Sequence, residues 1–196
     1  HQLHRRQRQM CIRDSVLSSI DADEYRLLLS ADFGQIPFNP SMNVHSVSLG
    51  MYLEDLIFGA GATGMTFTVH RVITTGWSET TATWNGTGTA LWAAAGMQAG
   101  VDYDATPIDT IFMSNAQTID STIFFDLGHR MMYIDGVHSW VIIGSPTQGW
   151  MEADFADNSD ETSSKRPLLM MNYTDIDSII ISPTATTTDA DSTVQF

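Results

Sequence analysis

The sequence predicts an all-β fold, an antiparallel β-sandwich of jelly-roll type with one or two short helices. Three observations carry this expectation: apolar and polar residues alternate with a period of two along several short runs, Gly, Pro, Asn and Asp clusters separate those runs, and helical spacing is confined to two places. A chain of 196 residues that is 43% hydrophobic and 16% charged has the composition of one globular domain with flanking pieces. Disorder, collagen and a coiled coil are excluded on the same grounds.

Taken in chain order, residues 25–30 give the first expected strand, followed by the turn cluster Ile36-Pro37-Phe38-Asn39-Pro40. Residues 47–53 alternate Val47, Leu49, Met51 and Leu53 with small or polar neighbours, and residues 65–70 repeat the pattern with Met65, Phe67 and Val69. Strands are further expected over 122–127, 139–143, 151–155 and 168–173, with Asp157-Asn158-Ser159-Asp160 as a turn. The two helical candidates are 91–97 and 127–134, the second closed by Gly136. The one cysteine, Cys11, cannot form an internal bridge, so stability must come from the core.

Charge divides the chain. Residues 1–15 carry Arg5, Arg6, Arg8 and Arg13 against Asp14, whereas the remainder holds 5 basic and 22 acidic side chains. A basic arm suggests a nucleic-acid or anionic-membrane anchor. The wording RRQRQMCIRDS, however, resembles the translated read-through of a sequencing adapter at the end of a metagenomic reading frame. Residues 1–15 are therefore expected to be an artefactual or disordered leader with no nucleic-acid role, and no run is apolar and long enough for a membrane span.

Motifs of catalysis are few. Gly59-Ala60-Gly61-Ala62-Thr63-Gly64 matches G-x-G-x-x-G, but it opens a strand rather than a helix whose amides would face a pyrophosphate, so a strand-to-strand connection is expected. His45, His70, His129 and His138 lack ligand spacing. Acidic residues offer hard oxygens to calcium in two places, Asp102 with Asp104, and Asp154, Asp157 and Asp160 with Glu161. No other cofactor is expected.

The most informative run is Trp77-Ser78-Glu79-Thr80-Thr81-Ala82-Thr83-Trp84-Asn85, preceded by His70-Arg71-Val72. Upstream stand Tyr25-Arg26-Leu27-Leu28-Leu29-Ser30-Ala31-Asp32-Phe33 and Ile36-Pro37. Downstream come Trp92, Gly100-Val101-Asp102-Tyr103-Asp104, Phe125-Asp126-Leu127, Phe155, and the run from Arg166 and Pro167 to Tyr173. Together these resemble the DNRLRE domain, a β-sandwich module of secreted, cell-surface and viral proteins related to alginate-associated carbohydrate-binding modules. The resemblance covers residues 16–175, lacks the usual first strand, and implies no catalytic residue. After it, residues 176–196 resemble a linker and the truncated start of a bacterial Ig-like domain, as expected of a piece of a modular protein.

The resemblance gives Trp77, Glu79, Trp84, Asn85, Pro167 and Tyr173 as motif residues, read here as structural, with both tryptophans plugging the sandwich edge. Exposed aromatics for stacking on a sugar are sought at Trp150, Trp92 and Tyr103. The expected function is a non-catalytic carbohydrate-binding or adhesion module of an extracellular, cell-surface or virion protein, next to an Ig-like domain. A net charge of −14 favours a neutral glycan over a polyanion. The alternatives are a purely structural spacer, which needs no exposed aromatic cluster, and a polysaccharide lyase or hydrolase, which needs a cleft lined by acid, base and cation.

Overall fold

In a computed structural model of the chain, the described residues are 4–8, 13–18, 25–35, 42–78, 80–128, 136–147, 151–156, 162 and 164–175. They form two antiparallel sheets. One, sheet A, contains β1 (His4–Arg8), β4 (Met42–Phe58), β7 (Ser121–Asp126), β9 (Met151–Phe155) and β10 (Leu168–Asp175) in the order β1-β10-β4-β7, with β9 also on β4. Sheet B runs β2-β3-β8-β5-β6, from β2 (Arg13–Ser18), β3 (Tyr25–Asp32), β5 (Gly64–Arg71), β6 (Asp109–Ser114) and β8 (Val137–Pro146). The expected all-β antiparallel class is what the chain adopts.

Period-two alternation explains which residues meet between the sheets. From sheet A come Val47, Leu49, Met51, Leu53, Phe125, Leu169 and Met151, and from sheet B Leu29, Ala31, Met65, Phe67, Val69, Met113, Trp140 and Ile142, all buried in one cluster. Four of these residues are methionines, whose unbranched chains fit irregular gaps between non-identical strands. Strand β4 is long enough to serve two partners in succession. Leu168 to Asp175 pair with its first half and β9 with Leu53 and with Asp55 to Phe58, across a register shift between Leu53 and Asp55. Because Leu53 pairs with Ser121 of β7 and with Phe155 of β9, β9 continues the edge that β10 occupies.

Several expectations are corrected. The helix expected over 91–97 is a series of turns and isolated bridges, since this segment must follow the surface of sheet B rather than coil on itself. The only helical turn among the described residues is a 3-10 turn at Phe33–Gln35; residues 129–134 of the second expected helix lie outside the described residues. Strand β6, whose Asp109-Thr110-Ile111-Phe112 alternates only weakly, was not expected. The leader assigned to residues 1–15 overlaps two of the described strands. Residues 4–8 pair with β10 and residues 13–18 pair with β3, so each lies along a sheet, through main-chain bonds that need no apolar pattern. The run 59–64 is a strand-to-strand connection as expected, closed by Ala62 N donating to Gly59 O at 3.1 Å.

Candidate functional site

After β5 the chain turns back over sheet B, and this return explains the tryptophan motif. Residues Leu28, Val141 and Ile143 point away from the main core, leaving an apolar stripe on the outer face of a sheet. The segment from Val72 to Tyr103 covers that stripe. Val72, Trp92, Met97 and Tyr103 pack on Leu28 and Val141 as a second buried cluster, with Trp77, Ala82 and Trp84 half-buried around it. Trp77 and Trp84 thus close a sheet face rather than the sandwich edge expected for them.

Local hydrogen bonds show how the motif builds this cover. Thr83 and Gly86 exchange main-chain bonds at 2.8 and 3.2 Å, placing Trp84 and Asn85 at the tip of a tight turn. Trp92 Nε1 donates to Thr83 O at 2.8 Å, Trp92 N to Asn85 O at 3.2 Å, and Trp77 Nε1 to Ser139 Oγ at 3.1 Å. Gly96, at φ +76°, lies directly beneath the Trp84 ring, where any Cβ would collide. Arg26 of β3 pins the cover from below. Its guanidinium lies 5.3 Å from the Trp84 ring centre and 5.9 Å from that of Tyr103, and it donates to the carbonyls of Gly96 and Met97.

Asp102 and His70 have the residue types of catalysis but are engaged inside this cover. Asp102, 3% exposed, accepts from Thr74 Oγ1 at 2.9 Å through one carboxylate oxygen, and from the amides of Ala93 and Gln98 at 2.9 and 2.8 Å through the other. His70 donates from Nδ1 to the Asp104 carbonyl at 2.8 Å, while Nε2 lies 2.9 Å from Thr68 Oγ1 and the ring meets Tyr103 edge-on. The carboxylate that sequence offers to calcium with Asp104 is therefore a loop organiser.

The expected stacking aromatics are redistributed. Trp92 and Tyr103 are 4% and 7% exposed, so neither presents a ring to a sugar; both are drawn inward because the cover can shield the outer stripe of sheet B only with its own large apolar side chains. Trp150 lies outside the described residues, as do Glu79, Asp157, Asp160 and Glu161. Asp154 is exposed on β9 directly opposite Asp55 of β4, and among the described residues no group of three or more His, Cys, Asp or Glu is disposed to hold a metal ion. Pro167 is buried at the start of β10, and Tyr173 is buried beside the register shift in the same strand.

Sequence reasoning missed the outer face of sheet A. Its successive rows are Asn172 and Ser46; Met170, Ser48 and Asp126; Leu168, Gly50 and Phe124; and Tyr52 with Thr122. Gly50 leaves its site empty and the Phe124 ring fills it, a Cβ there falling 2.9 Å from the ring, so Phe124 lies down along the sheet yet stays 43% exposed. Beside it Tyr52 donates to Asp120 at 3.2 Å, and Lys165 Nζ sits 5.0 Å over its ring and 3.0 Å from Glu54. Partial burial and the hydrogen bond to Asp120 raise the Tyr52 pKa above 10.0, against the opposing charge of Lys165. The signal for this face was present in the even-numbered positions of β4, but outward positions of a half-buried strand read as solvent-facing by default.

Comparison of the sequence with protein-family models and with curated proteins finds no match. The resemblance to the DNRLRE domain thus rests on the motif residues themselves. Among the described residues, no helix is long and apolar enough to cross a membrane.

Proposed function

We propose that the chain is a non-catalytic carbohydrate-binding or adhesion module of a larger extracellular, cell-surface or virion protein, and that the outer face of sheet A is its contact surface. The observation that carries this reading is the unequal use of the two faces: the middle of sheet B is covered by its own loop, which leaves Phe112 of β6 exposed, whereas the middle of sheet A presents the Phe124 ring, with the half-buried Tyr52 beside it, among Ser48, Thr122 and Asp126. An aromatic face bordered by hydroxyl and carboxylate groups is suited to an uncharged sugar, which stacks and hydrogen-bonds at once. The non-catalytic part is supported by Asp102 and His70, whose polar atoms are taken up by neighbouring loop and strand groups. With Lys165 paired to Glu54 and a net charge of −14, the surface disfavours polyuronates. The likeness of residues 176–196 to an Ig-like opening supports a modular parent protein.

The spacer reading stands second, favoured by the burial of Trp92 and Tyr103. A glycan array run with and without a chelator, on the wild-type chain and Phe124→Ala, separates the two. Binding to neutral glycans with dissociation constants nearer millimolar than nanomolar is expected, lost in Phe124→Ala while the chain still unfolds cooperatively. Silence across the array favours the spacer, and tight chelator-insensitive binding of alginate overturns the neutral-glycan assignment.

A further inference from the structure

The chain contains two Asn-x-Thr triplets, Asn85-Gly86-Thr87 and Asn172-Tyr173-Thr174, while a third asparagine, in Asn39-Pro40-Ser41, is disqualified by its proline. Such triplets accept N-linked oligosaccharide in a secretory pathway. The fold treats the two eligible asparagines in opposite ways. Asn85 is exposed at the tip of the Thr83 to Gly86 turn, and its main chain does the structural work, accepting from Trp92 N. Asn172 lies on β10 between β1 and β4, with Nδ2 donating to Ser46 Oγ at 2.8 Å and Oδ1 buried.

We propose that Asn85 is a glycosylation site and that Asn172 is not, an inference that rests on the extracellular placement above. The donor is an oligosaccharide linked to a lipid pyrophosphate. The Asn85 amide nitrogen forms a bond to the anomeric carbon as the bond from that carbon to the pyrophosphate oxygen breaks; the lipid pyrophosphate leaves with the electron pair, and the nitrogen gives up one proton. No oxidation or reduction occurs.

Transfer precedes closure of the loop. In the folded chain Thr87 is 2% exposed and its hydroxyl oxygen accepts from the amides of Thr89 and Ala90 at 3.3 and 3.0 Å, so the triplet can be read only while the segment is open. Once the loop has closed, the sugar projects from the turn beside Leu91, which bridges Gly86 and is 81% exposed. The oligosaccharide therefore screens that leucine from solvent, on the sheet B side and away from the contact surface proposed on sheet A. At Asn172 the same addition would break the bond to Ser46 and crowd the outer rows shared by β10 and β4, on the sheet A face proposed as the contact surface.

The test is secretion of the chain behind a leader peptide from a eukaryotic host, with peptide mass mapping of both secreted and cell-retained material after enzymatic glycan release in heavy-oxygen water. Heavy label at Asn85 alone in the secreted chain is expected, with the mobility shift lost in Asn85→Gln and kept in Asn172→Gln and Thr87→Ser. An unmodified Asn85 in both fractions overturns the proposal, as does a sugar on Asn172 of folded, secreted protein. Conversion of Asn85 to aspartate without the heavy label is spontaneous deamidation and counts against it. The glycan array reads only sheet A, so the two proposals fail separately.

Discussion

Asp102 shows how one buried carboxylate can organise a loop. Its two oxygens gather the nearby amides of Ala93 and Gln98 and, from farther along the chain, the Thr74 hydroxyl, while its own main-chain carbonyl accepts from Ile73 and Thr74. Removing the carboxylate strands two part-buried amides and a hydroxyl, each worth about 1–3 kcal/mol when unsatisfied. Asp102→Ala is therefore expected to destabilise the fold by roughly 3 kcal/mol or more. Asp102→Asn, which keeps one oxygen for the amides, is expected to cost about 1 kcal/mol. Chemical denaturation checks the order, and equal losses would contradict the organising role. A second residue-scale contrast separates two tryptophans of the motif segment. Trp92 is buried and Trp84 only half-buried, so Trp92→Ala is expected to cost about 3–5 kcal/mol and Trp84→Ala less, also read by denaturation. The structural reading of the motif tryptophans was legible in sequence, but their location was not. Nothing local in Trp77 or Trp84 says that the stripe they cover is Leu28 and Val141 of strands well separated in the chain.

At the scale of elements, alternation carried most of the information. The expected strands at 25–30, 47–53, 65–70, 122–127, 139–143, 151–155 and 168–173 all fall on observed strands or within a residue of one. Each has one face against the main core, which imposes the period of two. Strand β6 escaped because Phe112, on its outward face, is as apolar as the inward Ile111 and Met113, which erases the alternation. Its outward ring crosses to Gly64 of β5, as Phe124 crosses to Gly50, so a glycine on one strand accounts for an outward phenylalanine on the next. An opposite case is the pair Asp55 and Asp154, two exposed carboxylates placed directly across from each other between β4 and β9. Like charges in that register repel, so Asp154→Asn is expected to stabilise the chain by about 0.2–1 kcal/mol. A thermal melt in low salt, where screening is weakest, measures it. If the substitution instead lowers stability, and a chelator lowers the melting temperature of the parent chain but not that of Asp154→Asn, a cation bridges the pair.

For the molecule as a whole, the instructive strands are β1, which lies within the segment that sequence assigned to a leader, and β2, which begins inside it and runs on to Ser18. β1 and β2 occupy the same end of the strand order in both sheets, β1 beside β10 and β2 beside β3, while β6 and β7 close the other end. Their wording, His-Arg-Arg-Gln-Arg and Arg-Asp-Ser-Val-Leu-Ser, carries little apolar pattern, and the likeness of RRQRQMCIRDS to adapter read-through is what set residues 1–15 apart in sequence. A sheet edge makes a weaker demand than a core. It needs only a partner with free amides and carbonyls. Two consequences can be separated by experiment. Replacing Arg5, Arg6 and Arg8 by Gln keeps the main-chain ladder, so the melting temperature is expected to stay within about 1 °C. Deleting residues 1–18 removes the ladder along β10 and β3, where the gain from main-chain bonds is largely offset by the entropy of ordering an edge. The net effect is expected to be a fall of roughly 2–8 °C, accompanied by concentration-dependent association through the uncovered edges. A melting temperature and an association state unchanged by the deletion would mark residues 1–15 as the dispensable leader expected from sequence.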